Sequence, residues 1–204
     1  MKPIYKTAFA ILCLFSLNAP AQRLDILGGV NLTGIKYKTA QPKTDESGNV
    51  GFHAGLAVFV PFSATKFKKN GDSEGYGLIP TLQYVRKGSS KNSVINNSAA
   101  DIKLGYLQLN LPLAYTANNI DIGVGPYIAY AMSGSKKYRV GNGAKEKIDF
   151  DNEFGRMDYG VGIQFTVYMF KFQYDLGLAN LAKGKGDKAN TRSFSLGLNI
   201  PLVQ

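Results

Sequence analysis

Few side chains in this sequence are equipped for acid–base, nucleophilic or metal chemistry. His53 is the single histidine among 204 residues, and Cys13 the single cysteine. A catalytic base must sit within hydrogen-bonding reach of a nucleophile or a second acid. His53 stands in a His-Ala-Gly context with no serine in a recognisable motif beside it, so it reads as a packed, hydrogen-bonded residue. One histidine and no clustered cysteines give no metal-ligand spacing. The glycine pairs Gly123-Val-Gly125 and Gly160-Val-Gly162 lack the third glycine and the following helix of a dinucleotide loop, and Gly141-Asn-Gly143-Ala-Lys-Glu-Lys lacks the Gly-Lys-Ser/Thr ending of a phosphate loop. No catalytic set, cofactor or metal is expected.

What remains is charge. Asp121, Asp158, Asp175 and Lys171, with Arg156 as a further candidate, lie among alternating residues where they would share one face with His53. Such a set either lines a proton or ion path or forms a structural network in which charges withdrawn from water find partners. The structural reading is the simpler one. Lys171 and Asp175, four residues apart, would stand about 13 Å apart along a strand, so their partners are sought on other strands. Lys136, Lys137, Arg139, Lys145 and Lys147 gather instead in one long connection. They are candidate contacts for phosphate groups or an acidic partner, or simply a solvated loop.

The elements that must position these residues are written in a period of two. Phe194, Leu196, Leu198, Ile200 and Leu202 alternate with Ser193, Ser195, Gly197, Asn199 and Pro201, which describes a β-strand with one apolar face. The same alternation recurs at Leu24–Leu32, Phe52–Phe62, Tyr76–Tyr84, Leu107–Tyr115, Ile120–Tyr130, Tyr159–Val167 and Phe170–Leu178, giving eight strands in all. Between the fourth and fifth, and between the sixth and seventh, only a few residues intervene. The connections Lys38–Asn49, Lys87–Ala100, Ser133–Gly155 and Asn180–Arg192 are long. Short turns at one end and long loops at the other suit an up-and-down membrane barrel with both termini in the periplasm. The long segment Ser63–Glu74 departs from that pattern, and Pro80, Pro112, Pro126 and Pro201 fall inside strands, where proline removes a ladder donor.

The amino terminus sets the compartment. Lys2 and Lys6, the apolar stretch Ala8–Leu17 and the small residues Ala19 and Ala21 form a secretory signal peptide over residues 1–21, cleaved before Gln22. Cys13 lies within it, away from any lipidation position, so the mature chain carries no thiol. About 183 residues remain, enough for one domain, residues 22–204. Subtracting Lys2 and Lys6 from the formal charge of +10 leaves about +8. In an exported protein this points to anionic lipid rather than nucleic acid.

A soluble lipocalin-like barrel would turn its apolar face inward around a ligand. The opposite parity argues against that. It holds Gly51, His53, Gly55, Gln108, Asn110, Asp121, Gly123, Asp158, Gly160, Gly162, Gln164, Lys171, Gln173 and Asp175. Glycines and amides fit the narrow lumen of an eight-stranded barrel, whereas a water-facing surface would carry more Lys and Glu. Tyr76, Tyr84, Tyr115, Tyr130, Tyr159 and Phe194, near strand ends, are candidates for interfacial aromatic girdles. The expected fold is therefore all-β, an eight-stranded antiparallel up-and-down transmembrane β-barrel behind a cleavable signal peptide. Closure leaves no edge that would force pairing, so a monomer is expected.

The segments Leu107–Leu113 (LQLNLPL), Ile122–Tyr127 (IGVGPY), Tyr159–Phe165 (YGVGIQF) and Phe172–Leu181 (FQYDLGLANL), together with Gly28-Gly-Val-Asn31, resemble the PorT-like outer-membrane β-barrel family over nearly the whole mature chain. That resemblance implies a small barrel in the outer membrane of a Gram-negative bacterium, with a founding member linked to type IX secretion and no catalytic residues to carry over; in such a membrane the basic loop residues Lys136, Lys137, Arg139, Lys145 and Lys147 could meet the phosphates of lipopolysaccharide. Many outer-membrane barrels end in an aromatic residue, whereas this chain ends Pro-Leu-Val-Gln. The expected function is a non-enzymatic structural, adhesion or secretion-accessory role through the basic loops, with secretion-system or envelope proteins as partners. Two other readings stand beside it: a narrow passive pore, and a lipid-modifying enzyme using His53.

Overall fold

The computed structural model describes residues 23–38, 47–62, 74–95, 98–138, 145–150, 152, 154–183 and 188–203. The expected signal peptide, Arg139 and residues 63–73 of the long connection lie outside these. Every regular element is a strand: β1 (Arg23–Lys38), β2 (Ser47–Pro61), β3 (Gly75–Leu78), β4 (Thr81–Ile95), β5 (Ser98–Asn110), β6 (Leu113–Ala117), β7 (Ile120–Tyr138), β8 (Lys145–Lys147), β9 (Met157–Val167), β10 (Phe170–Gly177) and β11 (Lys188–Val203). All pairings are antiparallel. The ladder runs β1-β11-β10-β9-β7-β5-β4-β2, and β2 pairs again with β1, so the sheet closes on itself.

Eleven segments make eight staves, because two staves are interrupted at prolines and β8 lies off the closed ladder. β3 and β4 are one stave broken at Ile79-Pro80, and β5 and β6 one stave broken at Leu111-Pro112. Each proline lacks a donor but still accepts: Val58 N–H donates to the Pro80 carbonyl at 3.0 Å, and Ile79 N–H to the Pro112 carbonyl at 3.1 Å. Pro126 stays inside β7, its carbonyl accepting from Leu111 N–H at 3.0 Å. Pro201 faces Asp25 beside the register shift at Leu24/Asp25. The four prolines are thus absorbed at breaks, at a bulge, or where only the acceptor is used. β8 is an added strand that pairs only with the upper part of β7.

The two ends of the barrel differ. At the turn end, Asn118-Asn119 and Tyr168-Met169 close tight hairpins, with Asn118 and Tyr168 at φ of 50° and 53°. At the loop end the strands run further than the alternation predicts. β4 and β5 stay paired as far as Ile95 and Ser98, β7 continues to Tyr138, and β11 already begins at Lys188. Much of what reads as loop is therefore strand, for a physical reason. Beyond the apolar belt the outward residues become polar, so the period disappears while backbone pairing continues.

Burial is inverted relative to a soluble domain. Ile122, Phe172 and Leu198 on the apolar parity are 49%, 38% and 41% exposed, while Asp158 and Gln108 on the other parity are fully buried. The lipocalin alternative fails on this point, since the greasy face lies outside and amides, hydroxyls and charges lie within. Tyr76 and Tyr115 pack together in a tilted arrangement at the turn end, with ring centroids 4.9 Å apart. Tyr84, Tyr130, Tyr159 and Phe194 bound the belt toward the loop end, where Leu107 faces Tyr84 on one side and Tyr130 on the other. Inside, an apolar cluster of Ile35, Ile102, Leu104, Phe150, Phe154 and Leu181 fills the loop end. A smaller one around Leu27, Phe59 and Ile79 lies toward the turn end.

Candidate functional site

The lumen holds three polar layers, two toward the loop-end cluster and one at the level of the smaller turn-end cluster, where Arg23 lies over the Phe59 ring. In the layer nearest the loop end, Lys87 Nζ donates to Asp158 Oδ2 at 2.9 Å, and both side chains are completely buried. Thr191 Oγ1 donates to the same oxygen at 2.8 Å, and Tyr127 O–H approaches both carboxylate oxygens at 3.4 Å. The Lys87 ammonium also lies 4.6 Å from the Tyr127 ring centroid and 5.4 Å from that of Tyr106, so the cation is held by a carboxylate and two π faces. A buried pair of this kind contributes little net stability, but removing one partner costs about 3–5 kcal/mol because the other charge is stranded.

The middle layer is built on Asp175, which accepts from Gln108 Nε2 across the lumen at 2.8 Å and from Gln173 Nε2 at 2.9 Å. Gln108 gives its second proton to Asn110 Oδ1 at 2.8 Å. The glycine parity makes room here: a Cβ on Gly162 would stand 2.6 Å from Asp175 Oδ1, and one on Gly197 would stand 2.9 Å from His53 Nε2. In the layer nearest the turn end, Arg23 bridges two carboxylates, with Nε to Asp25 Oδ2 at 3.1 Å and Nη2 to Asp121 Oδ2 at 2.6 Å. Asn199 Nδ2 also donates to Asp25 at 2.8 Å.

The sequence-predicted lumen residues are all interior, but their partners differ from the expectation in part. Asp121 and Asp158 form ion pairs, with Arg23 and Lys87. Asp175 is satisfied by amides. Lys171 is buried, with Asp175, Asp25 and Asp121 as its electrostatic neighbours. His53 is buried within β2, and its Nδ1 has no hydrogen-bond partner among the described residues. Arg156 is exposed and lies over the Phe150 ring, 5.1 Å from its centroid, outside the lumen network.

Sequence reasoning missed Lys87, Arg23 and Asp25. Lys87 was legible by continuing Thr81, Gln83, Val85 one step further, into residues read as loop. Arg23 and Asp25 share a parity at the very start of β1.

Side chains of the described residues occupy much of the lumen. The cavity among Asn110, Gln164, Gln173 and Asp175 measures about 10 Å³, room for about one water. At the turn end a recess of about 70 Å³ lies between Arg23, Asp25, Asp121, Tyr168 and Asn199.

The basic residues assigned to the longest loop also separate. Lys136 points inward, with Nζ 3.5 Å from Glu146 Oε2. Lys137, Lys145 and Lys147 are exposed, on β7 and β8 and not on a loop. Outside the barrel, above Tyr84, a cleft of about 470 Å³ is lined by Arg86, Lys103, Ser133, Ser135, Lys145 and Lys147, among others. Register explains it: Ser135 faces Lys103 on one side and Lys147 on the other, and Gly105 lies between Arg86 and Ser133.

Solved structures similar to this barrel include Ail, the attachment invasion locus protein of Yersinia pestis, at 13% identity and a TM-score of 0.41, covering 89% of this chain and 100% of that one. Neisserial surface protein A is similar at 9% identity and a TM-score of 0.49, covering 89% and 99%. No curated protein matches the sequence. The family described as the outer membrane protein beta-barrel domain matches residues 21–183. An eight-stave barrel with its apolar face outward, matched over that length, belongs to the outer membrane protein beta-barrel domain family.

Proposed function

We propose that this chain is a non-enzymatic barrel of the PorT-like kind, anchored in a Gram-negative outer membrane behind a cleaved signal peptide, and that it acts through its loop-end rim and not through its lumen. The observation that carries this reading is the fully buried Lys87–Asp158 pair beneath the apolar cluster of Phe150, Phe154 and Leu181. An ion crossing the barrel would have to open both, which leaves the rim as the working surface. Short turns at one end support the reading that the other, with its extended strands, faces outside the cell. The role is structural, adhesive or accessory to secretion, the partners are envelope or secretion proteins, and the barrel works as a monomer.

A deletion strain tests it, assayed together for its secreted proteins, its adhesion to surfaces and its outer-membrane permeability to a small dye. Altered secretion or adhesion with unchanged permeability is the expected result. Changed permeability, joined by unit conductance of the purified barrel in planar bilayers, would transfer the function to the lumen.

A further inference from the structure

A cleft on the outer wall gathers cations that take no part in the lumen network. Arg86 and Lys103 project outward from β4 and β5, and Lys145 and Lys147 project from β8. The one carboxylate lining the cleft, Glu146, is turned to Lys136. None of the four cations has a carboxylate partner among the described residues.

Height selects the ligand. Arg86 stands two residues beyond Tyr84 on the same face, about 6 Å further along the stave, so the cations lie just above the aromatic boundary of the belt. Directly below them the wall is Leu82, Leu107 and Ile128, all exposed. The floor between the cations is kept low by Gly105, Ser133 and Ser135. A side chain on Gly105 would collide with the Tyr84 hydroxyl, and would stand 2.6 Å from Ser133 Oγ. The cleft therefore offers four cations and three hydroxyls at headgroup level, continuous with an apolar wall at acyl-chain level. A soluble anion needs only the upper half. A phosphorylated lipid uses both, with its phosphate among the cations, where charge-assisted hydrogen bonds are strong, and its chains along the belt.

We propose that this cleft binds the phosphate of an outer-leaflet glycolipid, with Arg86, Lys103 and Lys147 as its principal contacts and the Tyr84, Ser133 and Ser135 hydroxyls supporting. The inference rests on the preceding reading only for the direction in which the rim faces.

The test uses the full mature chain, purified in detergent and examined by native mass spectrometry with bis-phosphorylated lipid A, with the same lipid dephosphorylated, and with inorganic phosphate as competitor. The phosphorylated lipid should be retained about tenfold better than the dephosphorylated one, with millimolar phosphate competing poorly. R86Q/K103Q/K147Q should lose that preference, K103R/K147R should keep it, and K36Q/K188Q, on the opposite wall at β1 and β11, should leave it unchanged. Circular dichroism of each variant establishes that it is folded, and K103Q/K147Q, expected to weaken the preference in the same way, carries the test if the triple variant is not.

Equal retention of both lipids overturns the proposal, as does efficient displacement by phosphate alone or retention of an acidic protein in place of lipid. Because the mature chain carries no cysteine, K137C can be labelled on intact cells with a membrane-impermeant maleimide. Absence of labelling breaks the orientation reading itself, whereas labelling without lipid preference breaks the cleft proposal alone.

Discussion

At Asp158 a lysine, a threonine and a tyrosine converge on one carboxylate with no solvent around it. The consequence is asymmetric. Asp158→Ala leaves the Lys87 ammonium buried between two rings and should lower stability by about 3–5 kcal/mol, read as a reduced urea midpoint for the barrel in detergent. The double change K87M/D158L removes both charges and should recover most of that loss; failure to recover would mean that the two residues do not act as a pair. The partners could not be paired from sequence because they sit 71 positions apart, on staves that face each other only after closure. Parity was enough to place Asp121, Asp158, Lys171 and Asp175 inside; pairing them required the register.

Among the elements, the inward turn of the segment after β8 matters most for how the barrel is closed. Ile148, Phe150 and Phe154 fold into the loop end and cover Leu104 and Gly134. Phe154, only 2% exposed, should cost about 3–5 kcal/mol when changed to Ala, seen as a lower urea midpoint with an unchanged slope. This plug was not legible beforehand. Its three apolar residues are interleaved with Asp149, Asp151, Asn152 and Glu153, and so acidic a stretch looks like an ordinary loop. The staves, by contrast, were legible to within a few residues wherever lipid dictates every second side chain. Their upper extensions were not, since residues such as Lys103 and Ser135 pair their backbones without carrying any period. The same boundary explains why the candidate loop cations divided. Lys136 and Lys137 are consecutive strand residues, so one had to face in and the other out.

For the molecule as a whole, the outward apolar belt is the feature that must be tested in lipid. Ile163 lies mid-belt opposite Val124, and Ile163→Arg should destabilise the barrel folded into vesicles by about 2–4 kcal/mol. A change near zero would mean that this face meets water. The closing seam carries a different implication, about time. β1 finds its second partner in β11, along a ladder from Leu24↔Val203 to Lys38↔Lys188, so the first stave to be made waits for the last. Until Lys188 onward has arrived, β1 and β10 each offer a bare edge, open to pairing with a neighbouring chain and intolerable within hydrocarbon. Insertion is thereby tied to completion of synthesis. A chain cut short before its final stave is not a weaker barrel but an adhesive open sheet, which the cell must hold in check or destroy.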